Sequence, residues 1–359
     1  MTTSTLAAII YKQGEPVVVE ELELDDPGPG EVMVKIGGTG VCHSDHNVYS
    51  GYRRNDDLPT ILGHEGAGTV EKVGSGVHGL EPGDKVVFAI RPMCGKCKYC
   101  STARWNLCDP ISSHQPSAQF HKNGTTYYAG LATYSEYTVA WENNVVKVDP
   151  DVRLDRAALV GCAVITGVGA VVNKAKVETG STVAVWGCGG VGLNVIQGAY
   201  IAGASRVIAI DTNPSKFQYA TRLGATDTVD ASKNDAVEAV RELTDGGVDY
   251  AFEVIGQPAT LRQALEATCE GGTAVLVGAA PDDGEVTIPM RHLFLDRSLI
   301  GCSAGTGRPR YDFQWLIAMY RQGRLNLDDL VTRTRPLTEV NEAFRDMEAG
   351  AVARTVLVP

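Results

Sequence analysis

Up to about Val148, apolar and polar positions alternate in short runs broken by glycine and proline, the period of half-buried strands. Val17–Leu24, Glu31–Ile36, Gly68–Val73, Asp84–Ile90 and Tyr134–Ala140 are predicted strands. Pro27-Gly28-Pro29-Gly30 and Glu81-Pro82-Gly83-Asp84 supply turns between them. The texture changes near residue 155, where Leu154 to about Lys176 is rich in alanine and valine and reads as helix. From Ser181 onward, apolar strands alternate with helix-like segments. The strands are Thr182–Trp186, Arg206–Ile210, Thr226–Val229, Asp249–Val254 and Thr273–Gly278, and the helices lie near 191–203, 214–223, 234–244 and 258–269. A strand after Arg297, a helix over Tyr311–Arg324 and a terminal strand, Thr355–Val358, close the chain. Such alternation builds a parallel sheet with helices on both faces. The fold class is therefore α/β, a β-rich part followed by a doubly wound one.

A chain of 359 residues exceeds the usual size of one hydrophobic core, so two domains are expected. Its 44% hydrophobic and 21% charged residues are those of an ordinary globular protein. The net charge of −11 opposes binding to nucleic acid or to an anionic membrane surface. The apolar run Leu6–Tyr11 lacks a basic flank and is too short for a signal-peptide core, and no apolar stretch is long enough to span a bilayer. With cysteines clustered at metal-ligand spacing, a reducing cytoplasm is the expected location.

Of nine cysteines, Cys94, Cys97, Cys100 and Cys108 fall in one short loop. Four thiolates this close can enclose a tetrahedral Zn²⁺ and leave no position open for chemistry, so the loop reads as a structural metal site. An iron–sulfur run is the competing reading. The last gap of seven residues and the following Asp109-Pro110 depart from that pattern.

Thr182–Trp186 runs into Gly187-Cys188-Gly189-Gly190-Val191-Gly192 and then a helix. In that context the glycines read as a dinucleotide loop: one for the turn, one for backbone approach to pyrophosphate, one for close helix–strand packing. Asp211 ends the next strand, where a carboxylate accepts the ribose hydroxyls and repels a 2′-phosphate, favouring NAD over NADP. The alternative for Asp211 is a cap on the helix beginning near Pro214.

Taken singly, Cys42, His64 and Cys162 are no more than scattered residues. Together the motifs Gly40-Val41-Cys42-His43-Ser44-Asp45, Gly63-His64-Glu65-Gly66-Ala67-Gly68, the four-cysteine lobe, Gly161-Cys162, the glycine loop and Ala353-Arg354-Thr355-Val356-Leu357 resemble, in order, the zinc-dependent alcohol dehydrogenases of the medium-chain dehydrogenase/reductase superfamily. The resemblance covers essentially the whole chain. It implies a GroES-like, β-rich catalytic domain over 1–163 and 304–359, a Rossmann NAD-binding domain over 164–303, and an active site in the cleft between them.

By the same resemblance Cys42, His64 and Cys162 are ligands of a catalytic zinc with its fourth position open, in addition to one structural zinc. Glu65 matches an acid behind the metal, and Asp45 the carboxylate that orients His64. His43 and Arg354 match pyrophosphate contacts, Lys216 a lysine near the adenosine ribose, Thr166 and Val277 the nicotinamide end, and Val254 the adenine side. Ser44 matches the residue that relays the alcohol proton. The family's next relay position is Asn47 here, which cannot carry a proton at neutral pH, so His46 or water takes that role.

Ile90 and Ala279 match pocket positions and imply room for a medium-length or aromatic primary alcohol. Arg91 beside Ile90 reads first as a solvent-facing arginine and, failing that, as the one hint of an anionic, thiol-adduct substrate of the class III kind. The stretch from Cys108 to Gly130, with Gln115-Pro116 and Tyr127-Tyr128, looks shorter than in the larger members. A non-catalytic scaffold or dinucleotide sensor is the third reading. His78, His114, His121 and His292 read as surface or packing residues, and Cys188, Cys269 and Cys302 as small hydrophobes. A homodimer or homotetramer is expected, paired through the strand near Arg297–Ser303.

Overall fold

The computed structural model describes residues 1–359 except 53–57, 109–117 and 282, so His114 and Gln115-Pro116 lie outside the described residues. The chain divides into two compact units: Met1–Cys162 with Arg308–Ala318 and Val331–Pro359, and Ala163–Gly307 with Met319–Leu330.

The first unit holds two sheets, one of five strands and one of seven. The strand Glu31–Gly40 obeys the period of two: Val32, Val34 and Ile36 pack with Val70, Val86 and Phe88, while Met33 packs with Ile9, Leu24 and Phe120 on the other side. Each fully buried side chain of this kind contributes about 1.5–3 kcal/mol. Pairing with Glu65–Val73 is antiparallel, and an irregularity between Ile36 and Gly38 shifts the register so that Gly40 faces Glu65. The terminal strand Arg354–Val358 pairs with the same end, Val356 opposite Gly40. That register decides where the chemistry lies, because Cys42 follows Gly40, His64 precedes Glu65 and Arg354 opens the third strand.

The second unit is a six-stranded sheet, parallel throughout. Its order is Asp227–Asp230, Arg206–Asp211, Thr182–Trp186, Val248–Glu253, Thr268–Leu276, Ser298–Gly301. This is the doubly wound order in which the first strand sits at the topological switch point. The helix Gly190–Ala202 starts straight after that strand.

Several elements differ from their sequence readings. Leu154–Lys176 is no single helix: it breaks at Cys162, whose φ of −137° and ψ of −75° leave the helical region. Just before the break the chain passes close to a strand: a Cβ on Gly161 would stand 2.4 Å from the Phe88 carbonyl oxygen, so only glycine fits there. The predicted helix 258–269 stops at Glu266, and Thr268 already belongs to the next strand. Tyr134 precedes its strand, Tyr137–Trp141, and Ala132 has a positive φ of 48°. The strand Thr2–Ile10 and the hairpin Ala118–Lys122/Thr125–Ala129 were not read at all. Among the described residues, no single helix is long and apolar enough to cross a membrane.

Candidate functional site

The register above brings one sulfur of Cys42, one ring nitrogen of His64, a carboxylate oxygen of Glu65 and the sulfur of Cys162 within 4.8 Å of one another. Cys42, Cys162 and Glu65 are buried and His64 nearly so. Gly40 makes this possible: a Cβ there would lie 2.2 Å from Glu65 Oε2.

The Cys162 thiol donates to Cys42, and the positive charge of His64 adds to it, so Cys42 is held well below the usual thiol range. Cys162 correspondingly sits well above it. Burial works to lower the pKa of His64, but the charges of Asp45 and Cys42 prevail and hold it high. Burial pushes Glu65 up to about 7 against the opposing pull of Arg354. Arg354, only 4% exposed, is ion-paired with Glu65, and its Nε has no hydrogen-bond partner among the described residues. Two soft sulfurs, one imidazole and a nearby carboxylate in a dry pocket fit a zinc ion with room for one further ligand.

Asp45 lies on the buried side of the short helix His43–Tyr49. Its Oδ1 accepts from Gly63 N–H at 3.0 Å and lies 3.2 Å from His64 Nδ1. That leaves Nε2 of His64 for a metal. Ser44 is exposed in the first turn of the same helix, and His43 beside it is exposed as well. His46 Nε2 lies 2.7 Å from Glu348 Oε1, a partner nothing in the sequence announced.

The other four-cysteine group is equally compact. Sulfurs about 2.3 Å from a common tetrahedral centre lie about 3.8 Å apart. Cys94 and Cys100 are 3.8 Å apart, and Cys97 and Cys108 are 3.9 Å apart. All four are free thiols, and backbone N–H groups of Cys97 and Cys100 point at the sulfurs of Cys94 and Cys97.

In the second unit, Gly187 and Gly189 form the turn out of the strand Thr182–Trp186, and Gly190, Val191 and Gly192 open the helix Gly190–Ala202. A Cβ on Gly192 would stand 1.8 Å from the Gly187 carbonyl oxygen, so no other residue fits. Asp211 accepts from Cys188 N–H at 2.8 Å and from Asn213 N–H at 2.9 Å, and Lys216 Nζ lies 3.1 Å away. The helix at Pro214 is capped instead by Asn213, whose side chain accepts from Ser215 N–H. Asp211 is therefore not that helix's cap. Val254 lies against the glycine loop, Val277 continues the sheet by donating to the Glu253 carbonyl, and Thr166 is half-buried in the helix Ala163–Gly169.

Of the remaining histidines and cysteines, His121 pairs with Asp25 at 3.0 Å and His292 faces Glu266 at 3.5 Å. Cys188 and Cys302 are buried, and Cys269 is half-buried. Tyr134 escaped sequence reasoning: as an aromatic in a predicted strand it signalled only core, yet its hydroxyl reaches Asp45.

Residues 28–150 match the family described as alcohol dehydrogenase GroES-like domain, and residues 190–322 match zinc-binding dehydrogenase. The chain is 41% identical to S-(hydroxymethyl)glutathione dehydrogenase of Saccharomyces cerevisiae, over 98% of this chain and 95% of that one. An alcohol dehydrogenase zinc-binding domain protein from Burkholderia ambifaria superposes over both whole chains with a TM-score of 0.95 at 34% identity. Benzyl alcohol dehydrogenase from Acinetobacter calcoaceticus superposes over 99% of each chain with a TM-score of 0.93 at 32% identity.

Proposed function

The chain belongs to the zinc-dependent alcohol dehydrogenases of the medium-chain dehydrogenase/reductase superfamily, and on that footing we propose that it moves a hydride between NAD and a medium-length or aromatic primary alcohol/aldehyde pair. The observation that carries this reading is the buried convergence of Cys42, His64 and Cys162 with Glu65 beside them.

Zinc bound there supplies Lewis acidity. It would bring the ionisation of a bound oxygen down toward neutral pH. Cys42 and Cys162 would hold it as thiolates and His64 through Nε2. Asp45 keeps the Nδ1 tautomer, and Arg354 balances the buried Glu65. NAD supplies the hydride acceptor. Gly187–Gly192 would cradle its pyrophosphate with His43 and Arg354, Asp211 and Lys216 its adenosine ribose, Val254 its adenine side, and Thr166 and Val277 its nicotinamide end.

Ser44, exposed beside Cys42, receives the hydroxyl proton. His46, hydrogen-bonded to Glu348, passes it on in place of Asn47. Cys94, Cys97, Cys100 and Cys108 hold the structural zinc. A reducing cytoplasm suits both thiolate sites.

A second reading is favoured by the name of the yeast relative: oxidation of a thiol adduct of formaldehyde, with Arg91 meeting its anionic end. The two separate in one assay, a panel of primary alcohols and formaldehyde followed by NADH absorbance, with and without glutathione and a zinc chelator. Chelator-sensitive turnover of free alcohols supports the first reading. Turnover only of formaldehyde with glutathione supports the second. Zinc below two ions per chain, or no turnover at all, overturns both.

The edge strand Ser298–Gly301, flanked by Met290 at 88% exposure and Phe294 at 74%, suits pairing with a second copy. Light scattering should give a dimer or tetramer, and F294E a smaller species.

A further inference from the structure

Asp45 is a carboxylate only 5% exposed, and a buried carboxylate is tolerated where its oxygens are hydrogen-bonded. Oδ1 has the Gly63 amide, and His64 Nδ1 stands 3.2 Å from both oxygens. Oδ2 is met from the opposite side by the Tyr134 hydroxyl at 3.1 Å. That hydroxyl has one proton and two acceptors in reach, Asp45 Oδ2 and the Gly40 carbonyl at 3.4 Å. The charged and nearer one takes it.

Tyr134 is fully buried and has little freedom to do otherwise. Its amide donates to the Leu62 carbonyl, its carbonyl accepts from Ala8, and its ring lies against Gly63, whose φ is +95°. On the far side its ring faces Phe344 at 6.4 Å. One residue therefore ties the loop that carries His64, through its backbone, to the helix that carries Asp45, through its side chain. A phenylalanine would pack here equally well. The hydroxyl is not needed to fill space, and its use is the hydrogen bond.

We propose that Tyr134 is a positioning residue of the metal centre: its hydroxyl locks the carboxylate of Asp45, which in turn fixes the ring of His64. Without it Oδ2 keeps only the 3.2 Å contact with His64 Nδ1, and the carboxylate is free to turn about its own bond. The Nδ1 contact that orients His64 is then no longer held at its angle. The inference rests on the zinc site proposed above.

The test is Y134F in the full-length protein, with Co²⁺ in the Cys42/His64/Cys162 site and zinc in the four-cysteine site. Loss of the cobalt visible band is followed after adding excess chelator. Partners of metal-bound histidines carry roughly 10–100-fold in metal affinity, and a group one step further out should sit near the lower end, about tenfold faster release. The cobalt spectrum should shift and melting should fall by no more than about 2–4 °C, the loss of one buried hydrogen bond, while release of the four-cysteine zinc stays unchanged. In a D45N background Y134F should add nothing, because the two act through one contact. Release within twofold of wild type with an unshifted band would overturn the proposal. So would equal acceleration in the D45N background, which would mean that Tyr134 acts by packing. A wild-type protein that takes up only one metal ion would overturn this inference and the proposed zinc site together.

Discussion

Replacing Glu65 by glutamine tests how the site is held together. Glu65 has no exposed surface and Arg354 only 4%, and the two form an ion pair inside the first unit. Glutamine has the same shape, so E65Q opens no cavity and isolates the charge. Removing one partner of a buried pair typically costs about 3–5 kcal/mol, because the remaining charge stays desolvated. The nearby sulfurs offset part of this for Arg354, which places the expected loss toward about 3 kcal/mol. For domains of roughly this size each kcal/mol moves Tm by about 2–4 °C, so the zinc-loaded variant should melt about 6–12 °C lower.

Two controls bracket the result. E15Q breaks Lys12–Glu15, a pair with both side chains more than half exposed, and should move Tm by under about 1 °C. The double variant E65L/R354M replaces the pair by apolar side chains and should recover most of the loss, since buried pairs compete poorly with packed hydrophobes. Differential scanning calorimetry at roughly pH 9, above the raised pKa of Glu65, reads all four proteins. A shift below about 2 °C for E65Q, or a double variant no more stable than the single one, would refute the reasoning.

Other outcomes follow from the same geometry. C97S removes one of four sulfurs poised around a single centre, so bound zinc should fall by one ion per chain by metal analysis and the lobe should become protease-sensitive; undiminished zinc would exclude a metal role for Cys97. G192A drives a Cβ onto the Gly187 carbonyl, where backbone cannot yield, and should weaken NADH binding by at least roughly tenfold (about 1.4 kcal/mol) with zinc content unchanged; fluorescence titration checks it, and a change under twofold would contradict it. Asp346 lies 2.6 Å from Arg333 and 2.8 Å from Arg335, and although burial alone would raise its pKa, the two guanidiniums hold it below the ordinary value. A group depressed in the folded state stabilises in full above its unfolded pKa of about 3.9 and loses that contribution as pH falls through the folded value. The Tm gap between wild type and D346N should therefore be constant from neutral pH down to about 5 and close below about 4; a gap that persists at pH 2 would falsify the assignment.

Much of the second unit was legible because its signals are local. A strand of five apolar residues running into Gly187–Gly192, and Asp211 one strand later, specify a turn, a close approach and a carboxylate without reference to distant chain. The four-cysteine loop is local in the same way, since ligands within one short segment meet whatever surrounds them. Boundaries set by distant backbone were misread. The local alanine and valine pattern favours one helix, yet the chain leaves the helical region at Cys162, next to the close approach of Gly161 to the Phe88 carbonyl.

The cluster of Cys42, His64 and Cys162 is the opposite case. Cys42, His64 and Cys162 became a candidate set only through the order of motifs, because nothing local says that three separate segments converge. Tertiary structure decided that through register: a shift between Ile36 and Gly38 sets Gly40 against Glu65, and with it Cys42 beside His64. It also decided which charges compensate one another, pairing Arg354 with Glu65, Lys216 with Asp211 and His46 with Glu348. Sequence by itself determined which chemical groups this protein owns and which local turns it must make. Only the fold determined which of those groups lie within a few ångströms of each other in a dry interior, because burial and distance, the two quantities that set electrostatic energy, are properties of the whole packed chain.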